Sequence, residues 1–245
     1  MRFFDQCERF VKDVENNKTA LKEVARFKSS PEMDAVRRRL SKRLQIPFEL
    51  ITAGMAETAF FLCSYEFAIK TEKSPWCDLL DETDAQFWKR GYGYDVNRKS
   101  SCMLFHHIWK SLDRAAHGKR NGEVPKTATI QVGHAETLLP LLSLMGFFKD
   151  ETPLTADNFS SQHNRAFRSS RMVPYAANLV FVLFQCSDGL RLQLFLNEKP
   201  LRFPGMMDSA PLYDAVREHY SVLLHGCDFK TECDIAQSNL RNVEL

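Results

Sequence analysis

Ile130-Gln131-Val132-Gly133-His134-Ala135-Glu136-Thr137-Leu138-Leu139-Pro140 reads as a strand, a glycine and the first turn of a helix. Thr127 to Val132 is short and β-prone, and Gly133 stops it, whereas Thr137 to Phe148 is helical in period and rich in leucine. Pro140 is tolerable there, because first-turn N–H groups have no intrahelical partner. In open α/β sheets ligands bind beyond the carboxyl ends of strands. The free N–H groups and positive end of a helix favour an anion there by about 0.3–1 kcal/mol. A protonated His134 would add charge-assisted hydrogen bonds to a phosphate. A carboxyl beside a bound anion holds its proton more tightly, so Glu136 is placed as a general acid for a departing alkoxide. The bland alternative makes Glu136 a complement to the helix dipole and His134 a satisfied surface residue.

Outward from this stretch, the chain is helical before it and α/β after it. Phe3, Phe4, Cys7, Phe10, Val11 and Val14 form an amphipathic stripe, and Leu21, Val24 and Phe27 a shorter one. Ser30-Pro31 starts a helix with Ser30 as cap and Pro31 at its first position, and Met33, Val36, Leu40 and Leu44 form its buried line up to Pro47. Thr52 to Lys70 is apolar on more than one side and is expected to be central. Ser101 to His117 is a further helix, for which Gly118 is the expected C-cap. Ser74 to Cys77 reads as a loop, and Asn121-Gly122 and Pro125 mark a boundary. Downstream, Asn178 to Cys186 reads as a strand buried on both faces. After the turn Ser187-Asp188-Gly189, Arg191 to Leu196 alternates as a half-buried strand, and Ala210 to His225 is a last helix. The expected class is α/β, with a mostly helical domain over residues 1–120 and an α/β domain over 121–245.

The net charge of +2 gives no field that argues for nucleic acid or a membrane surface. The basic cluster Arg37, Arg38, Arg39, Lys42 and Arg43 reads as a solvated helix face. No apolar run approaches the roughly 18–20 residues of a membrane span. The opening Met1-Arg2-Phe3-Phe4-Asp5 is not a signal peptide, so the chain as written would begin in the cytosol. Cysteines stand at 7, 63, 77, 102, 186, 227 and 233 without a CxxC pair or zinc-like spacing. The odd count leaves room for three disulfides and one free thiol, with Cys227 and Cys233 as one candidate pair. His106-His107 reads as one buried and one exposed helix residue rather than a metal pair. Two glycosylation sequons occur, at Asn17 and Asn158.

Several segments, in order along the chain, resemble the inositol polyphosphate phosphatase branch of the histidine acid phosphatase family. They are Met1 to Asp5, Lys73-Ser74-Pro75-Trp76-Cys77-Asp78, Trp88-Lys89-Arg90-Gly91-Tyr92-Gly93-Tyr94, Gly133 to Gly146 and Val173 to Leu179. The resemblance implies a phosphoglycerate-mutase-like α/β domain with a helical cap. It implies hydrolysis of phosphomonoesters through a phosphohistidine, on inositol polyphosphates and 2,3-bisphosphoglycerate, without metal or other cofactor. His134 would then bind phosphate and Glu136 would be the proton donor, with Lys89 and Arg90 as substrate contacts from the cap. Arg165, Arg168 and Arg171 are a further candidate for an anion site, set against a surface helix.

The family's nucleophile motif, Arg-His-Gly-x-Arg-x-Pro, does not occur in the sequence. Ala116-His117-Gly118-Lys119-Arg120 shares its core but follows a helix instead of a strand. The expectation is a chain that begins downstream of the nucleophile and depends on an N-terminal segment. The competing readings are an inactive remnant or isoform that binds polyphosphates, or a helical module whose basic helix binds a protein partner. The family's setting is the endoplasmic reticulum lumen. The final Asn242-Val243-Glu244-Leu245 matches a retention signal only in Glu-Leu.

Overall fold

Ser30 caps its helix as the sequence predicts: its hydroxyl accepts from the Met33 N–H at 3.3 Å and Pro31 takes the first position. The computed structural model describes residues 2–70, 85–120 and 128–234. Its helices are α1 (Glu8–Phe10), α2 (Lys22–Lys28), α3 (Pro31–Leu44), α4 (Ala53–Lys70), α5 (Ala85–Arg90), α6 (Asp95–Lys99), α7 (Cys102–Arg120), α8 (Ala135–Leu144), α9 (Ser169–Met172), α10 (Tyr213–His219), α11 (Ser221–Gly226) and α12 (Phe229–Cys233). Strands β1 (Leu179–Cys186), β2 (Gly189–Leu196) and β3 (Lys199–Leu201) form an antiparallel sheet in that order. The loop Ser74–Cys77, the boundary near Asn121 and the C-terminal four residues lie outside the described residues. So does the expected division between 120 and 121; the buried residues of both sides belong to one cluster, from Phe27 through Trp109 and Leu139 to Leu194.

Several elements differ from their sequence reading. The first stripe is not one helix: a 3₁₀ turn (Phe3–Gln6), α1 and a π-helical turn (Val11–Glu15) follow one another. They still bury Phe4, Cys7, Phe10 and Val14, in a second small core with Val96 and Cys233. Helix α4 is not central, since Phe61, Leu62, Tyr65 and Ile69 face solvent while Ala56, Ala59 and Cys63 are buried. Gly118 is not a cap, because α7 runs through it to Arg120. The last expected helix breaks at Tyr220 into α10 and α11.

The strand expected over Thr127–Val132 is not formed in its described part. Residues 128–134 have no regular structure, and Ile130 and Val132 are 88% and 82% exposed. β1 is likewise not covered on both faces. Among the described residues it is an edge strand paired with β2, with Leu183 opposite Leu192 and Phe181 opposite Leu194, and Val180 and Val182 are exposed on the opposite face. Residues 128–134 pair with no strand among the described residues, whereas β1, although paired with β2 along its length, buries only the face that carries Phe181 and Leu183.

The Trp88–Tyr94 segment turns out to be a packing hub. The Asn97 amide, fully buried, donates to the carbonyls of Trp88 (2.6 Å) and Gly91 (3.3 Å). Tyr94 donates to Ala20 O at 2.7 Å, and Tyr92 donates to Phe147 O at 2.6 Å, just beyond α8. Burial pushes the Tyr92 hydroxyl above its ordinary pKa, which keeps it a donor. Tyr220 donates to Met145 O at 2.9 Å, so two tyrosines fix the far end of α8. A Cβ at Gly93 would stand 2.5 Å from Trp88 Cα, and one at Gly91 2.6 Å from the Phe167 ring. Gly93→Ala is therefore expected to destabilise the fold by about 1–3 kcal/mol. A denaturant midpoint unchanged from the parent chain would contradict this.

Candidate functional site

Glu136 sits in the first turn of α8 and His134 is its N-cap. The start of this helix is set by backbone: the His134 carbonyl accepts from Thr137 N at 2.9 Å and Leu138 N at 3.3 Å. The Thr137 hydroxyl lies a long 3.5 Å from the His134 N–H. Among the described residues the Ala135 and Glu136 N–H groups have no hydrogen-bond partner. His134 is exposed and Glu136 half-buried, while Thr137, Leu139 and Pro140 are buried behind them. Two free donors, an imidazole and a carboxyl thus share one solvent-facing helix end anchored in the core. Such an end has the donors to hold an anion and a group able to pass it a proton.

The adjacent pair Lys89–Arg90 divides. Lys89 is exposed, whereas Arg90 is only 7% exposed and lies against the rings of Phe4 (4.3 Å) and Phe10 (4.7 Å). Its Nη2 meets Glu15 Oε1 at 3.3 Å, and its buried Nη1 has no hydrogen-bond partner among the described residues. Burial lowers the Arg90 pKa, opposed first by Glu15 and then by Glu136. Glu136 is therefore one of the charges that act on the buried Arg90. Sequence reasoning missed its partners: Glu15, Phe4 and Phe10 are some 75 or more residues away in the chain, and no local pattern signals such a pairing.

Arg165 is buried over the Phe159 ring and donates to Gln162 O at 3.2 Å; Arg168 donates to His163 O at 3.2 Å. The two stand in loop structure, and Arg171 alone of the three lies in α9. His106 bonds Cys227 O at 2.8 Å and is half-buried rather than buried, while His107 is exposed as expected. His117 is exposed on α7, its Nδ1 2.7 Å from Asp113 O. In the basic cluster, Arg37 pairs with Asp34 at 2.7 Å, and Arg37 and Arg38 both stack on Phe48 at 4.4 Å.

Cys227 and Cys233 do not pair with each other. Cys233 bonds Cys7 across 226 residues and Cys227 bonds Cys102 across 125, with Cα separations of 4.6 and 5.4 Å. Each faces a different core, Cys233 the one around Phe4 and Phe10, Cys227 the one around Phe105 and Trp109. Cys63 is also disulfide-bonded, and Cys186 is free. No helix among the described residues is long and apolar enough to cross a membrane.

Residues 2–197 match the family description "Histidine phosphatase superfamily (branch 2)". Multiple inositol polyphosphate phosphatase 1 of Homo sapiens is 44% identical over 262 residues, covering 100% of this chain and 54% of the relative. The protein of the same name from Gallus gallus is 44% identical over 255 residues, 98% of this chain and 57% of the relative. That from Dictyostelium discoideum is 24% identical over 286 residues, 93% and 45%. The chain belongs to the histidine phosphatase superfamily. It spans about half the length of these curated relatives.

Proposed function

We propose that this chain is the acid-supplying part of a phosphomonoesterase acting on inositol polyphosphates, phytate included, and on 2,3-bisphosphoglycerate. The observation that carries this reading is the start of α8, where an exposed His134 and a half-buried Glu136 share a helix end with two backbone N–H groups that have no partner among the described residues. The likeness to inositol polyphosphate phosphatases along the whole chain supports the substrate class. In this reading His134 and the free N–H groups hold the phosphoryl oxygens. Glu136 delivers its proton to the alkoxide oxygen as the P–O bond breaks. Lys89 reaches substrate phosphates from the helical residues 1–120, acting as a cap over residues 121–245, and Arg90 contributes its charge from beneath. The nucleophilic histidine comes from a segment outside these residues. The family setting is the endoplasmic reticulum lumen. The absence of Arg-His-Gly-x-Arg-x-Pro from the sequence favours a second reading, in which the chain binds polyphosphates without turnover.

Glu136→Gln, made in the chain joined to a segment bearing the nucleophile motif, is expected to lower kcat by about 10²–10⁴. KM should change little, since the amide keeps the shape and only the proton is lost. His134→Ala should instead weaken binding of inositol hexakisphosphate, measured by calorimetry. Loss of binding and melting temperature together in Glu136→Gln would make Glu136 a structural residue and overturn the assignment.

A further inference from the structure

Helix α3 carries its cations on the face opposite its buried line. Met33, Val36 and Leu40 turn inward, so Arg38, Arg39 and Lys42 stand exposed on the other side. Lys42 is four residues from Arg38 and three from Arg39, so it lies between them on the surface, its Cβ about 5–6 Å from each of theirs. The helix stops at Gln45, whose positive φ of 56° reverses the chain. The Ser41 hydroxyl donates to Ile46 O at 2.6 Å, and the reversal lays the Phe48 ring against the guanidinium groups of Arg37 and Arg38, both at 4.4 Å. Arg37 serves the fold, through Asp34 at 2.7 Å and Ile51 O at 2.6 Å. Arg38, Arg39 and Lys42 have no acidic partner among the described residues. Elsewhere on the surface Arg26, Arg98 and Arg217 each meet a carboxylate at 2.9 Å or less. The helix dipole accounts for Lys42 in the last turn, but Arg38 and Arg39 precede that turn.

Exposed cations that the fold leaves unpaired suit an anion that brings several charges at once. Short runs rich in Lys and Arg serve nucleic acid or heparin-type polysaccharide. The disulfides are an independent observation that decides between the two. Cys7–Cys233 and Cys102–Cys227 form and persist in oxidising compartments, which hold sulfated polysaccharide rather than nucleic acid. We propose that the exposed face of α3 binds a sulfated glycosaminoglycan through Arg38, Arg39 and Lys42. This does not rest on the phosphatase reading. An arginine presents its N–H groups as a planar fork that grips a tetrahedral oxyanion in bidentate fashion. Stacking on Phe48 holds the Arg38 side chain in place beforehand, so less rotamer freedom is lost when the sulfate arrives. A single exposed ion pair is weak in water. Affinity therefore comes from three cations acting on one chain and releasing its counterions together. Three contacts of this kind make affinity fall roughly twenty- to fortyfold between 50 and 200 mM salt.

The test is the full, disulfide-bonded chain on immobilised heparin, loaded at about 0.15 M ionic strength and eluted by a salt gradient. The parent chain is expected to be retained. Arg38→Glu, Arg39→Glu and Lys42→Glu together should flow through with the melting temperature unchanged, and the milder Arg38→Gln, Arg39→Gln and Lys42→Gln should do the same. Lys22→Glu, Lys110→Glu and Lys230→Glu together remove as much charge from exposed sites elsewhere and should elute with the parent. His134→Ala should also elute with the parent, because the α8 end is a separate site. Flow-through of the parent chain overturns the proposal. So does equal loss in the control triple, which would make net charge the cause, or loss in His134→Ala, which would place the polysaccharide at α8. Sedimentation of the parent with phosphatidylserine vesicles, without retention on heparin, would assign the face to a membrane instead and overturn it as well.

Discussion

The 245 residues alone are expected to release phosphate from inositol hexakisphosphate about 10⁴–10⁶ times more slowly than when joined to a segment bearing the nucleophile motif. Glu136 can deliver a proton and His134 can hold an anion, but neither attacks phosphorus in this reading. His117, the sequence's one near match, is no substitute. It stands on the exposed face of α7 with its ring against Asp113 O, and a helix rather than a strand leads into it. The same experiment tests the fold. Ile130 and Val132 stand almost wholly in solvent, Val180 and Val182 are exposed on one face of β1, and among the described residues β1 pairs along one edge only. An exposed apolar edge of this kind invites pairing with other chains, so the chain alone should associate, and the added segment should make it monomeric. Turnover by the chain alone within tenfold of the joined protein would refute the assignment of roles. A soluble monomer with one sharp melting transition would refute the edge argument.

Replacing Cys7 and Cys233 together by serine is expected to remove about 5 kcal/mol of stability. The bond closes a loop of 226 residues, and chain entropy assigns about 4–5 kcal/mol or slightly more to loops of this order. Whole-domain stability is only about 5–15 kcal/mol, so this pair carries a large share. The double replacement adds no unpaired thiol beyond Cys186, which is free in the parent chain as well. Cys7 and Cys233 also sit in the small core of Phe4, Phe10, Val14 and Val96, the same rings that bury Arg90. Loosening this core should therefore expose Arg90 before the main core melts. A denaturant midpoint equal to the parent chain under oxidising conditions would show that the small core holds without the bond.

What the sequence made legible was local. Ser30 and Pro31 announce a helix start because the cap hydroxyl accepts from an N–H three residues on, and the structure has that bond. His134 and Glu136 were placed at a helix start because a glycine precedes them and a leucine-rich helical period follows, and α8 begins there. What failed was pairing. Ile130 and Val132 have strand propensity, but a strand requires a neighbour, and no window of sequence contains it. In β1 the outward Val180 and Val182 are as apolar as the inward Phe181 and Leu183, so one-sided burial left no alternation to read. The disulfide partners are separated by 226 and 125 residues, and spacing alone does not determine connectivity. In the sequence the Trp88–Tyr94 segment stands out for Lys89 and Arg90, the substrate contacts that the resemblance implies. Its glycines instead answer to Trp88 and Phe167, contacts that only the folded chain creates.

The bond between Cys7 and Cys233 makes most of the polypeptide a covalent ring. A protease that cuts once anywhere between these two cysteines opens the ring without releasing a piece. The nicked molecule keeps its mass under non-reducing conditions and falls into two bands only when the bond is reduced. Within the ring, Cys102–Cys227 closes a second, smaller circuit. A cut between Cys7 and Cys102 and one between Cys102 and Cys227 together still free no fragment, because each piece keeps a bridged cysteine. Cleavage that would scatter a linear chain leaves this one topologically whole.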